Sequence, residues 1–86
     1  MDDRDRDIGL MLEEIVRTLV DAPDQVSVRD IPTQDGTLLR LRVAPGDIAK
    51  LIGRQGRTAH SVRTILATFS AKLKHRYTLD IEEEDG

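Results

Sequence analysis

The stretch Ile52-Gly53-Arg54-Gln55-Gly56-Arg57 constrains this chain more than any other part of it. Two glycines bracket two polar residues, and apolar side chains at helical spacing lie on both sides: Ile48, Leu51 and Ile52 before, and Thr58, Val62, Ile65, Leu66, Phe69 and Leu73 after. Two helices joined by so short a link need backbone angles that glycine tolerates, and the missing Cβ atoms let another chain come close to the main chain. The longer helix begins at the link, so its first N–H groups and the positive end of its dipole face whatever docks there. An anion suits that position. Arg54 and Arg57 at the link, with Lys50 one turn upstream, make a phosphate backbone a better fit than a lone carboxylate. A Walker loop needs four residues between its glycines and then Lys and Ser or Thr, whereas two intervene here and Arg57-Thr58 follows; the dinucleotide fingerprint lacks its third glycine and its strand. On the loop alone, a plain corner in which Gly53 ends one helix and Gly56 starts the next accounts for the residues equally well.

The rest of the chain supplies one small α+β domain. Ile8, Met11, Leu12, Ile15, Val16, Leu19 and Val20 mark one face of a first helix, with Asp7 as its N-cap and Pro23 as its stop. Val26, Val28 and Ile31 predict a strand ending near Pro32, and Gln34-Asp35-Gly36 supplies the turn into a second strand, Thr37 to Val43. In that strand Leu39, Leu41 and Val43 share a face and Arg40 and Arg42 take the other, with Leu38 as the exception. Pro45-Gly46-Asp47 opens the short helix, the long one runs to about Lys74, and Tyr77, Leu79 and Ile81 alternate in a final strand. The order is α-β-β-α-α-β, a two-layer arrangement of three strands with three helices on one face. The expected limits are an acidic N-terminal segment over 1–7, one domain over 8–82 and an acidic, solvated C-terminal end over 83–86.

Charge sharpens the loop's meaning. The chain of 86 residues has a net charge of −3, yet the nine cations between Arg40 and Arg76 face one acid, Asp47, giving +8 there and −11 elsewhere. Only two side chains are aromatic apart from histidine, Phe69 and Tyr77, so a nucleic-acid reader built on several stacked aromatics is excluded. With no cysteine there is no disulfide framework, thiolate metal site or thiol nucleophile. No apolar run approaches a membrane span, and the opening MDDRDRD lacks the basic-then-apolar order of a signal peptide, so a cytoplasmic location is expected.

The stretch from Lys50 to Ala59, followed by Val62-Arg63-Thr64-Ile65, resembles a KH domain, most closely the small bacterial KhpA-type RNA-binding proteins. The resemblance covers nearly the whole chain and implies the type II KH arrangement. It implies a non-enzymatic protein holding about four nucleotides of single-stranded RNA, with the loop against the backbone and the bases along a neighbouring apolar groove. Carried over, Gly53, Arg54, Gln55 and Gly56 form the clamp, Ile52 part of the groove floor, and Lys50, Arg57 and Arg63 its basic surround. Where such motifs often have a glycine before the lysine, this chain has Ala49. The resemblance also implies an RNA-chaperone role, self-pairing, and pairing with a larger KH-containing protein of the KhpB type. It implies no cofactor and no metal.

Other signals carry less. Asp3, Asp5, Asp7 and Glu14 fall in a calcium-loop frame, but its sixth position is Ile8 rather than glycine. His60 and His75 lack catalytic neighbours in sequence, and no serine or threonine lies in an activating motif. Ala67, Ser70, Ala71 and Lys74 form a small-residue strip that suits a dimer contact and a solvent-facing surface equally. A protein-interaction scaffold with a secondary RNA surface, and a ribosome-assembly factor, are the alternative functions.

Overall fold

The computed structural model describes residues 3–82 of the chain; the expected acidic end, residues 83–86, lies outside them. Helix α1 spans Asp3–Arg17, and its buried stripe is Ile8, Leu12 and Val16, at successive intervals of four. It starts four residues ahead of Asp7, which is an interior residue and not the N-cap. The apolar periodicity begins at Ile8, but acids are favourable in the first turn of a helix, so the helix extends past the stripe that identifies it. Its other end is also earlier than Pro23. Thr18 and Leu19 bond to the carbonyls three residues back (3.2 and 2.9 Å), tightening the last turn and leaving Leu19 40% exposed.

Strands β1 (Ser27–Pro32) and β2 (Gly36–Arg42) form the expected hairpin, antiparallel with Ser27 opposite Arg42 and Ile31 opposite Leu38. Its turn closes through Thr33, whose N–H donates to the Gly36 carbonyl (2.8 Å) while its Oγ1 accepts from the Gly36 N–H (3.1 Å). A turn at Pro45–Asp47 leads into α2 (Ile48–Ile52), another at Arg54–Gly56 leads into α3 (Arg57–Leu73), and the chain ends in β3 (Arg76–Ile81). Because two helices intervene, β3 returns parallel to β2, from Gly36 opposite Arg76 to Leu41 opposite Ile81. The sheet order is β1-β2-β3, mixed, with β3 on an edge.

One face of this sheet carries Leu39, Leu41, Tyr77 and Leu79, all buried, against Leu12 and Val16 of α1, Leu51 of α2 and Val62 and Leu66 of α3. Full burial of such side chains contributes about 1.5–3 kcal/mol each, which is how a chain without disulfides holds this size. The opposite face bears Arg29, Ile31, Leu38, Arg40, Thr78 and Asp80. Leu38, the exception to the alternation, sits there between its register partners Ile31 and Thr78, half-buried. Arg40 pairs across the strands with Asp80 (3.1 Å).

Candidate functional site

The loop between α2 and α3 is shaped by its glycines. The Gly53 N–H bonds to the Ala49 carbonyl (2.9 Å), closing α2. Gly53 then turns to φ 79°, ψ 173°, a region open essentially to glycine alone. A Cβ added there would stand 2.3 Å from Thr58 Oγ1 and 2.9 Å from the Thr58 backbone nitrogen, so the loop is folded hard against the first turn of α3. Gln55 (φ 58°) and Gly56 (φ 73°) follow in the left-handed region. Left-handed backbone disfavours a non-glycine residue by roughly 1–2 kcal/mol, so Gln55 is held there by the bonds around it: Gly56 N–H to the Gly53 carbonyl (3.2 Å) and Arg57 N–H to the Arg54 carbonyl. Nothing lies within 4 Å of a Cβ built on Gly56, which leaves bare backbone facing solvent. Arg54, Gln55 and Arg57 are exposed around it.

The first turn of α3 holds no acid, and no side chain caps its N-terminus. A helix start left without a side-chain acceptor beside three exposed polar or cationic side chains has the electrostatics to receive an anion.

Alongside, a groove of about 450 Å³ separates α3 from the edge strand β3, lined by Arg63, Leu66, Ala67 and Ser70 on the helix and by residues 76–79 on the strand. Its floor is apolar, from Leu66, Ala67 and Leu79, and Arg63 and Arg76 stand at its two ends along the helix. Ser70 fixes the width: its Oγ donates to the Leu66 carbonyl (2.8 Å) and accepts from the Tyr77 N–H (2.9 Å). Thr37, 3% exposed, bonds to His75 Nε2 (2.8 Å), and the His75 ring lies 4.9 Å from that of Tyr77, so His75 seats the start of β3.

The structure therefore brings Gly53, Arg54, Gln55, Gly56 and Arg57 into one loop, with Arg63 at the near end of the groove. Ile52 is half-buried at the end of α2 and does not line this groove. Lys50 is exposed, but its ammonium pairs with the Asp21 carboxylate; that hydrogen bond, above all, raises its pKa over the ordinary lysine value, with Asp21 and Asp47 adding coulombic attraction against a desolvation cost. Asp47, the single acid of the basic segment, is buried and accepts from the N–H groups of Asp21 (3.1 Å) and Ala22 (3.0 Å), pinning the α1–β1 connection to the head of α2. Sequence reasoning missed Ala67, Ser70, Arg76 and Thr78 as groove residues. The signal was the small-residue strip, of which Ala67 and Ser70 line the groove while Ala71 and Lys74 are exposed. His60 is exposed on α3. Among the described residues no group of three His, Asp or Glu side chains could hold a metal, and no helix is long and apolar enough to cross a membrane.

No solved structure matches the chain. The RNA-binding protein KhpA of Clostridium acetobutylicum is 39% identical over 71 residues, covering 83% of this chain and 95% of that protein. KhpA of Borreliella burgdorferi is 42% identical over 71 residues, covering 83% and 87%. KhpA of Caldanaerobacter subterraneus subsp. tengcongensis is 38% identical over 74 residues, covering 86% and 99%. A family model described as "KhpA/KhpB, KH domain" matches residues 10–81, the span from the middle of α1 to the end of β3 that contains the loop and the groove, and the chain belongs to that family of KH domains.

Proposed function

We propose that this protein is a non-enzymatic, cytoplasmic binder of single-stranded RNA that grips about four nucleotides, the Gly53–Gly56 loop against the sugar–phosphate backbone and the bases along the α3–β3 groove. The observation that carries the reading is the loop's conformation: three of its four residues at positive φ present bare backbone at an uncapped helix start, ringed by Arg54, Gln55 and Arg57. The groove supplies the apolar contact for bases that a chain poor in aromatics requires. The relatives' name, RNA-binding protein KhpA, supports the ligand class. The proposal includes self-pairing or pairing with a larger KhpB-type protein, in which one clamp per chain is joined to a second and the pair acts as an RNA chaperone; the joint KhpA/KhpB name of the family model supports the second pairing.

The test is to place aspartates at Arg54 and Gln55 together. Both side chains are exposed, so the fold is expected to survive, as read by circular dichroism, while RNA binding in a fluorescence titration is lost. Unchanged affinity in the folded double variant would remove the clamp from the account.

A further inference from the structure

We infer that Asp21 competes with RNA phosphate for Lys50 and thereby limits how tightly the clamp holds its strand. The inference rests on the clamp reading above and assigns a role to a residue of the acidic, N-terminal part of the chain.

Lys50 stands in the last turn of α2, three residues before Gly53 and so within one turn of the loop. Its ammonium is already engaged by Asp21. Among the described residues no carboxylate pairs with Arg54, Arg57 or Arg63, so Lys50 is the cation near the loop that meets an internal anion. The position of Asp21 is built rather than incidental. Its own N–H and that of Ala22 are held by the buried carboxylate of Asp47, the residue that opens α2, and this anchors Asp21 against the helix that carries Lys50.

Both members of the pair are open to solvent, Lys50 at 48% and Asp21 at 77% side-chain exposure. An exposed pair is weak, worth no more than about fivefold in an equilibrium, so an incoming phosphate can displace Asp21 but does so against that opposition. A phosphate near Lys50 therefore meets a carboxylate leaving, whereas one near Arg54 or Arg57 meets a cation without such a partner.

The experiment is a binding cycle with the full chain, using Asp21→Ala, Lys50→Ala and the double variant, and a fluorescent single-stranded oligouridine of about ten nucleotides as probe. Asp21→Ala should tighten binding by about two- to fivefold at low salt and steepen the log–log salt dependence by up to about 0.7, the single-strand increment per phosphate contact. The gain should be larger with Lys50 present than in the Lys50→Ala background, because only the former contains the competition. Equal gains in both backgrounds would show that Asp21 acts merely as a nearby negative charge and would overturn the inference, as would no gain at all. The Arg54/Gln55 double aspartate variant, run in parallel, separates the two levels: if it binds like the wild type, the clamp reading and this inference fall together, and if it loses binding while Asp21→Ala gives equal gains in the two backgrounds, this inference falls alone.

Discussion

The two loop glycines are predicted to differ sharply in what they tolerate. Gly53 lies at φ 79°, ψ 173°, where a side chain costs on the order of 1–3 kcal/mol in backbone strain alone. Its Cβ would also stand 2.9 Å from the Thr58 backbone nitrogen, an atom that cannot rotate away, which adds about 1–2 kcal/mol of overpacking. The sum for Gly53→Ala is about 2–5 kcal/mol, a large share of the roughly 5–15 kcal/mol that holds a domain together. Gly56 occupies the left-handed region with nothing within 4 Å of its Cβ direction. Gly56→Ala then costs about 1–2 kcal/mol of left-handed strain, offset by about 0.4–1 kcal/mol from the less flexible unfolded chain, leaving about 1 kcal/mol. For a domain of this size each kcal/mol lowers Tm by roughly 4–8 °C, so thermal melts should show losses of about 10–40 °C for Gly53→Ala and about 5 °C for Gly56→Ala. Equal losses, or a Gly53 variant that melts near the wild type, would refute the claim that the loop is folded against Thr58.

Two further predictions concern the frame that holds the site. Asp47→Ala removes a buried carboxylate that accepts from two backbone N–H groups, and urea unfolding should show a loss of about 2–4 kcal/mol. Ser70→Ala removes the hydroxyl that accepts from the Tyr77 N–H at the groove wall; a loss of about 1–2 kcal/mol is expected by the same measurement, with faster exchange of the Tyr77 amide.

Much of this was legible in the sequence because it rests on periodicity. The stripe of α1, the alternation of β2 and β3 and the glycine stop at Gly53 follow from spacing and turn chemistry, and the element order came from the same reading. The start of α1 did not, since apolar period marks where a helix touches the core and not where it begins. The groove was only half legible: the loop residues stand together in the chain, whereas Ala67 and Ser70 meet residues 76–79 only because α3 folds back onto β3, and the small side chains read equally well as a contact surface. Asp47 and Lys50 show the same limit. Their types were visible, but their partners Asp21 and Ala22 lie more than 20 residues away and come close only through packing.

The polarity of the chain, +8 against −11, overstates the basic face, and salt dependence measures by how much. Arg40 and Arg42 belong to β2 on the sheet face away from the helices, where Arg40 is paired with Asp80, and Lys50 is engaged by Asp21. Arg54 and Arg57 at the loop and Arg63 and Arg76 along the groove are the cations set around the proposed strand. With about 0.7 per neutralised phosphate on a single strand, those four predict a log–log slope of about −3, whereas all nine acting together would give about −6. Arg76→Gln should flatten the slope by about 0.7, because it removes a contact at the far end of the groove, while Arg40→Gln, on the opposite face, should leave it unchanged. A wild-type slope near −6, or equal effects of the two substitutions, would mean that RNA reaches the open face of the sheet and that the groove between α3 and β3 does not define its path.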